Sequence, residues 1–241
     1  LDDLLQSADL PRIVLTTGTG SIFGFLVARQ AYGSAMLAPL FVVMSFGWGL
    51  AVFLVAQSTM YVWNDRVVPA AIARRMRNLL GLFILSTLYL TAVYHLTNLY
   101  FAKQVAFSRF ILVDGGIYPF LFWCGYVAIG SVVPLLLIYH PRFGSPRSML
   151  AASLLIIGGA FALLYVFIVG GQAWPLELFP GHQVSSSFGD GRIAAYAPSV
   201  PEVLLGVGGR GVAFLVTVIG VRVLRFLPQD DLPATPDVVA D

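Results

Sequence analysis

Four polar residues are spaced so that they share one face of a predicted membrane-spanning helix. Thr87, Thr91, His95 and Asn98 follow one another at intervals of three or four residues within an otherwise apolar stretch. Because one turn of an α-helix takes about 3.6 residues, this spacing places all four side chains in one stripe. Lipid offers no hydrogen bonds, so we expect the stripe to face other helices or a cavity.

His95 is the member of this stripe that carries acid–base chemistry. A histidine can hydrogen-bond a carbonyl oxygen and can take or give a proton near neutral pH. Counted from Lys103 at about 1.5 Å per residue, His95 would lie about 12 Å below the membrane boundary, a depth that suits the head group of a quinone. We interpret His95 and Asn98 as quinone-binding or proton-transfer candidates. A helix–helix hydrogen bond is the alternative interpretation.

A second group of candidates lies where the third predicted span begins. Asp114 precedes Gly115 and Gly116, and Tyr118 follows them. One interpretation makes the Asp114 carboxylate a proton access point beside the His95 face, and Asp114 and Tyr118 therefore join the candidates. The alternative is a structural acid near a helix N-terminus, where the helix dipole favours negative charge.

Charged residues near the fifth predicted span are candidates for charge pairing or partner docking. Arg210 lies inside this span, where an unpaired charge that faces lipid would be costly. We expect it to pair with an acid such as Glu202 or Asp190, or to extend outward to the membrane surface. Glu202 has an alternative role as a first-turn acid after Pro201. His182, in the connection before this span, completes the set.

The histidines do not favour a haem held by this chain. Ligation by two histidines requires them at one depth on facing helices, whereas His95, His140 and His182 are predicted in an outer half, at an inner end and in an outer connection. The single cysteine, Cys124, does not support a cysteine-ligated cluster or zinc site. We therefore expect neither haem nor metal on this chain.

The composition places these residues in a membrane protein. Hydrophobic residues make up 58% and charged residues 11% of the 241 residues, and the mean hydropathy is +0.85. A typical soluble domain has about 25% charged residues. The net charge of +2 is too small to indicate a nucleic-acid partner. The sequence predicts an all-α integral membrane protein in a lipid bilayer.

Four charge-free stretches and a fifth apolar stretch that contains Arg210 predict about five transmembrane helices in a bundle, since each can supply the roughly 20 residues that cross a bilayer core. Residues 1–34 are expected to form an extramembrane or interfacial segment, and residues 228–241 a disordered cytoplasmic tail. The long connection between the fourth and fifth spans contains several aromatic residues, so we expect it to be a structured outer loop. Within the transmembrane domain, 35–227, the spans are about 36–57, 78–101, 116–139, 148–171 and 203–225.

The distribution of arginines predicts the orientation of the chain. The connection between the first two spans carries Arg66, Arg74, Arg75 and Arg77. Cytoplasmic loops are enriched in arginine and lysine, so we expect this connection and the C-terminus on the cytoplasmic side. The chain would then be a multi-pass protein of the cell inner membrane, with the His95 end of its helix on the outer side.

The most specific sequence motif of the chain is the run Pro198-Ser-Val-Pro-Glu-Val-Leu-Leu-Gly206. This run and residues 179–184 before it resemble the NrfD/PsrC family, the membrane subunits of polysulfide reductase-like complexes. The segments 94–100 and 112–118 are similar to a subgroup found in sulfur-metabolism and hydrogenase complexes. The first of these adds Tyr94 to the quinone-binding or proton-transfer candidates.

The resemblance implies a haemless membrane-anchor subunit, either quinone-reactive or non-catalytic, of a respiratory or sulfur- or hydrogen-metabolism complex. Such a subunit exchanges electrons between the quinone pool, menaquinone or ubiquinone, and a partner iron–sulfur protein. Family members carry more helices, and this chain resembles their C-terminal half, whereas the best established quinone site lies in an N-terminal bundle. Two other classes stay open: a proton- or ion-translocating transporter with a relay of Asp114, His95 and Arg210, and a purely structural anchor.

Overall fold

The computed structural model describes residues 2–26, 29–63, 68, 70–140, 146–175 and 191–223. Throughout these ranges the regular structure is helical, without a strand. Five of the helices are long and apolar enough to cross a membrane, which confirms the predicted all-α membrane fold. The helices are α1 (Asp2–Phe25), α2 (Leu37–Trp63), α3 (Ala70–Tyr100), α4 (Ala102–Arg109), α5 (Ile117–Tyr139), α6 (Pro146–Tyr165, continued by Val166–Gly170 and Gly171–Ala173) and α7 (Val200–Val223).

The chain divides into two compact units, residues 1–196 and 197–241, and α7 belongs to the second. Most of the predicted outer loop, with His182 and Asp190, and the predicted tail 228–241 lie outside the described residues. The described part of the loop, residues 191–199, forms neither helix nor strand. Its amide at Ala194 donates to the carbonyl oxygen of Ala173, at 2.9 Å.

The core of the first unit lies among α2, α3, α5 and α6. One cluster of buried side chains surrounds Tyr94 and is rich in aromatic rings. A second, smaller cluster lies nearer the start of α3 and is mostly aliphatic. Large apolar side chains also cover the outer faces of these helices, as lipid-facing surfaces require. The second cluster comprises Ala51, Leu54, Leu80, Ile84 and Ile156.

The tightest helix crossing is between α5 and α6, where two glycines face each other. A Cβ atom built on Gly130 would lie 2.5 Å from the Cα atom of Gly159. One turn earlier on α5, a Cβ on Gly125 would lie 2.8 Å from the Cβ of Ala162. Small residues at these positions let the two backbones approach closely, which is how helices associate where water supplies no hydrophobic driving force.

Two helical segments add to the predicted spans. α1 packs against α2, where the ring of Phe23 stacks on that of Phe41 with centroids 5.4 Å apart. The short helix α4 follows α3 after a break at Phe101, whose backbone is extended at φ −86° and ψ 113°. α3 itself begins at Ala70, so its first turns carry Arg74, Arg75 and Arg77, which were predicted to lie in a connection. Arg66 lies outside the described residues.

Three stretches in the described part of the first unit have π-helical hydrogen bonding. They are Phe110–Asp114 after α4, Leu121–Val132 within α5 and Val166–Gly170 within α6. Such stretches are rare, usually a single turn long, and frequent at functional sites because they alter the positions of side chains and carbonyl groups. Two side chains of the stretches in α5 and α6 lie next to the candidate site.

Candidate functional site

The polar stripe of α3 faces the interior of the bundle. Thr87, Thr91, His95 and Asn98 are all buried, and none is more than 6% exposed. This is the arrangement that their helical spacing predicts. The four side chains differ, however, in how their hydrogen-bonding groups are satisfied.

In the first half of the stripe, the hydroxyls of Thr87 and Thr91 form hydrogen bonds with other groups of the protein. The Thr87 hydroxyl donates to the carbonyl oxygen of Phe83, one turn earlier, at 2.8 Å. The hydroxyls of Thr91 and Tyr126 are 3.3 Å apart and form a hydrogen bond between α3 and α5. These two threonines therefore have structural roles.

The second half of the stripe is not satisfied in this way. Neither ring nitrogen of His95 has a hydrogen-bond partner among the described residues. The Asn98 amide makes no hydrogen bond of good geometry there, although it interacts with the neighbouring Tyr94 hydroxyl. Leaving a buried donor or acceptor unpaired costs about 1–3 kcal/mol, so native proteins rarely keep several together. Buried groups of this kind are commonly satisfied by a polar ligand or an ordered water.

Aromatic rings surround the His95 imidazole. The ring of Phe122 meets it edge-on with centroids 5.0 Å apart, and that of Phe167 is nearly parallel to it at 6.4 Å. Tyr94 contributes a third ring at 5.0 Å. Phe122 and Phe167 belong to the π-helical stretches of α5 and α6, so the irregular turns place these rings beside the histidine.

The loop between α1 and α2, residues 29–36, closes one side of this cluster. The Tyr94 hydroxyl donates to the carbonyl oxygen of Ala31, at 2.6 Å. The Tyr32 hydroxyl lies 3.1 Å from the carbonyl oxygen of Phe167 and 2.9 Å from that of Ile168, and it donates to these π-helical carbonyls. Tyr94 and Tyr32 therefore hold the loop against α3 and α6.

Burial raises the pKa of Tyr32 to about 12, although the charge of Arg29 acts in the opposite direction. The phenol therefore stays protonated at neutral pH and remains a hydrogen-bond donor. Arg29 also donates from Nη1 to the carbonyl oxygen of Gln172, at 2.9 Å. The indole nitrogen of Trp174 donates to Oε1 of Gln30, at 3.0 Å. These bonds attach the loop to the end of α6.

His95 lies closer to a helix end than its sequence distance from Lys103 predicts. α3 ends at Tyr100, and Lys103 belongs to α4 beyond the extended residue Phe101. His95 is therefore five residues, or about 7.5 Å, from the end of its helix. The estimate of a depth of about 12 Å assumed one straight helix through Lys103, whereas the backbone is extended at Phe101. The depth of His95 in the membrane stays a prediction.

Asp114 is exposed and paired. Its Oδ2 atom lies 2.8 Å from Nε of Arg109, and both side chains are more than half exposed. It ends a π-helical turn and is separated from α5 by Gly115 and Gly116, the latter at φ 63°. The ion pair gives Asp114 a structural role, and its role in proton access remains a prediction.

Tyr118 is buried in the aromatic core cluster at the beginning of α5. Its ring lies 5.3 Å from that of Phe110 and 6.2 Å from that of Tyr165, measured between centroids. It precedes Phe122 by one turn of the same helix. Its proposed part in quinone binding also remains a prediction.

Of the charge-pairing candidates, Glu202 and Arg210 lie in α7. The Glu202 carboxylate accepts a hydrogen bond from the backbone amide of Ser199, at 2.7 Å. This is half of a capping box, which stabilises the start of a helix, and it agrees with the interpretation of Glu202 as a first-turn acid. Arg210 lies eight residues further along α7. His182 and Asp190 are outside the described residues.

Sequence reasoning did not identify several residues that form the site. Phe122 and Phe167 read as ordinary apolar residues of a span, and only the helix packing reveals that they face His95. Tyr32 stood in a segment that was predicted to be extramembrane or interfacial. Ser108 of α4 is also buried, and its hydroxyl lacks a partner within the described part of the chain. The polar run Arg29-Gln30 before Tyr32 was the available signal for the loop.

Metal ligation has no candidate in the part of the chain that the structure describes. No cluster of three or more histidine, cysteine, aspartate or glutamate side chains is found there. The expectation that this chain holds neither haem nor metal remains a prediction.

Fold and site together define a multi-pass helical membrane protein with a buried polar cluster near one end of its bundle. The chain belongs to the NrfD family, described as polysulphide reductase, NrfD, whose sequence profile matches residues 8–175. The match includes α1 to α6 and the polar cluster. The run Pro198–Gly206, on which the resemblance partly rested, lies beyond it. No solved structure matches the chain significantly.

Three relatives are similar over most of this chain. An Hdr-like menaquinol oxidoreductase integral membrane subunit of Archaeoglobus fulgidus is 26% identical over 90% of this chain and 55% of its own length. A selenate reductase subunit of Mesobacillus selenatarsenatis is 25% identical, over 92% and 51%. A putative dimethyl sulfoxide reductase membrane subunit of Halobacterium salinarum is 26% identical, over 93% and 52%. The chain thus spans about half the length of these relatives.

Proposed function

We propose that the chain is the quinone-interacting membrane subunit of a multisubunit oxidoreductase complex. The observation that carries this proposal is the buried imidazole of His95, whose two nitrogens have no partner among the described residues, with the Asn98 amide one turn further along the same helix. Membership of the NrfD family supports it, as do relatives named as subunits of a menaquinol oxidoreductase, a selenate reductase and a dimethyl sulfoxide reductase.

The chemistry of these residues fits a quinone head group, menaquinone or ubiquinone. A neutral imidazole offers one donor and one acceptor, and the Asn98 amide offers both as well. They can therefore bind a carbonyl oxygen, which accepts, or a hydroxyl, which donates. The rings of Phe122 and Phe167 add apolar walls that suit a flat aromatic ligand.

A quinol supplies two electrons and two protons when it is oxidised. In this site, a ring nitrogen of His95 takes or returns a proton, and the Asn98 amide orients the oxygen that loses or gains it. Phe122, Phe167 and Tyr94 exclude water from the imidazole. The bonds from Tyr32 to the Phe167 and Ile168 carbonyls hold the α6 side of the site in place.

The remaining parts of the proposal concern the complex. An iron–sulfur protein is the proposed electron-transfer partner, and this chain carries no haem. The arginines at the start of α3 favour a cytoplasmic location for that end by the positive-inside rule. The His95 end then faces the outer side of the cell inner membrane, and the C-terminus is cytoplasmic.

A His95→Leu substitution in the assembled complex tests the proposal. We expect quinol-dependent turnover to fall by about 10²-fold, the usual contribution of one acid–base group. Turnover with a soluble dye that donates electrons directly to the partner subunits should stay unchanged, because only the membrane step is altered.

The matched control is Thr97→Val on the same helix. The Thr97 hydroxyl donates to its own backbone at Val93, 2.7 Å away, so its loss should leave quinol-dependent turnover near the wild-type value. If the His95 variant turned over quinol at the wild-type rate, His95 would not belong to the site. If both variants lost turnover with the dye as well, a general assembly defect would explain the result.

A further inference from the structure

A second site lies at the opposite end of the bundle from His95. A cavity of about 450 Å³ opens between the end of α2, the start of α3, the end of α5 and the start of α6. Arg77, in its lining, precedes His95 by 18 residues, which is about 27 Å along α3. The cavity is therefore separate from the proposed quinone site.

The polar part of this cavity is positively charged. Arg74 and Arg77 line it, together with the uncharged polar residues Gln57, Ser58 and Ser148, and no acidic residue appears in its described lining. The Nε atom of Arg77 is buried and has no hydrogen-bond partner among the residues that the structure describes. A guanidinium held in this way favours an anion that accepts its N–H groups.

The rest of the lining is apolar. Leu54, Met76, Ile138 and Met149 contribute to it, and they belong to four different helices. An anion alone would leave this apolar surface uncovered, whereas an amphiphilic molecule would satisfy both parts. The cavity also lies near the ends of α2, α3, α5 and α6, and the ends of membrane-spanning helices commonly meet lipid head groups.

We infer that this cavity binds the phosphate group of an anionic phospholipid, with the upper part of an acyl chain against its apolar wall. Arginine forks match phosphate oxygens in two parallel hydrogen bonds, which an ammonium group cannot reproduce. Basic pockets between transmembrane helices are a known form of lipid head-group site. This inference uses none of the residues of the proposed quinone site.

Native mass spectrometry of the full protein in its complex, supplemented with phosphatidylglycerol in detergent, tests the inference. We expect one phosphatidylglycerol to be retained, and Arg74→Gln with Arg77→Gln to weaken its retention by about 25-fold, since one arginine contributes about fivefold. Arg75→Gln is the matched control, because Arg75 is exposed on the same helix and outside the cavity lining. It should retain the lipid as the wild type does.

Two further measurements identify the ligand. Phosphatidylcholine should be retained less well than phosphatidylglycerol, and millimolar inorganic phosphate should not displace the lipid.

Equal retention of phosphatidylglycerol by the wild type and the double variant would overturn the inference. Displacement by inorganic phosphate would overturn the lipid assignment in favour of a free-anion site. If the double variant does not fold, Arg77→Lys keeps the charge without the fork, and unchanged retention by it would contradict the inference.

Discussion

Tyr94 and His95 are neighbours in the sequence and pack ring against ring, with centroids 5.0 Å apart, yet their polar atoms differ in their partners. The Tyr94 hydroxyl donates to the Ala31 carbonyl oxygen at 2.6 Å. Both nitrogens of His95 lack a partner in the described chain. Tyr94 thus fixes the α1–α2 loop, and the imidazole keeps its hydrogen-bonding capacity for a ligand.

The first prediction concerns the stability of the site. Asn98→Leu replaces an amide that makes no hydrogen bond of good geometry in the described chain by an apolar side chain of similar volume, so the free energy of unfolding should stay the same or rise by about 1–2 kcal/mol. Quinol-dependent turnover should nevertheless fall. Thermal unfolding in detergent and turnover of the same preparation check both parts.

The comparison variant for Asn98 is Thr91→Val, on the same stripe. It breaks the hydrogen bond to Tyr126 and should lower the free energy of unfolding by about 1 kcal/mol. A larger loss of stability in Asn98→Leu than in Thr91→Val would show that the amide is a structural group.

The second prediction concerns Tyr32. Tyr32→Phe removes the hydroxyl that donates to two carbonyls of α6, so the free energy of unfolding should fall by about 1–2 kcal/mol at neutral pH. The folded pKa of about 12 is higher than the ordinary value of about 10, because the fold favours the neutral phenol. The hydroxyl's contribution is therefore complete below about pH 10 and is lost as the pH rises through about 12.

Melting temperatures of wild type and Tyr32→Phe across this pH range test the linkage. The difference in melting temperature between the two proteins should become smaller as the pH rises from about 10 to about 12. A difference that stays constant over that range would contradict the assigned role of the phenol.

The third prediction concerns the crossing of α5 and α6. Gly159→Ala would place a Cβ against the Cα of Gly130, closer than two carbon atoms can approach, so the helices must move apart. We expect a loss of about 1–3 kcal/mol in the free energy of unfolding. Gly158→Ala, at the next position, meets no atom within 4 Å and should leave the stability unchanged or slightly higher. Equal effects of the two substitutions on the melting temperature would argue against this packing.

The fourth prediction concerns Asp114. Because its ion pair with Arg109 is exposed, a double-mutant cycle with Asp114→Asn and Arg109→Gln should give a coupling energy of about 0.2–1 kcal/mol. If Asp114 also provides proton access, Asp114→Asn should slow quinol-dependent turnover while Arg109→Gln does not. If Asp114→Asn and Arg109→Gln had the same quinol-dependent turnover, Asp114 would have only its structural role.

Hydrophobic pattern and charge spacing were sufficient to predict the membrane fold. Charge-free stretches predicted four of the spans and an apolar stretch around Arg210 the fifth, which agrees with the five helices that are long and apolar enough to cross a membrane. The helical spacing of Thr87, Thr91, His95 and Asn98 predicted a buried stripe. The start of α3 was predicted less well, because the arginines before residue 78 were taken as part of a connection, whereas the helix begins at Ala70.

The surroundings of His95 could not be predicted from spacing along one helix. Phe122 and Phe167 reach it through π-helical stretches, whose hydrogen-bond register follows from packing rather than from residue type. Tyr32 is 135 residues from Phe167 in sequence, and no local pattern indicates so distant a hydrogen bond. Tertiary structure also determines which polar groups have a hydrogen-bond partner, as the contrast between Thr91 and His95 demonstrates.

Photoaffinity labelling of the native complex with an azidoquinone, followed by peptide mapping, shows which residues contact the quinone. We expect labelled peptides that contain Tyr94–Asn98, Phe122 or Phe167. His95→Leu should abolish this labelling, while Thr97→Val should preserve it. Labelling confined to other segments or to partner proteins, or equal labelling of His95→Leu and the wild type, would contradict the assignment of the quinone site to these residues.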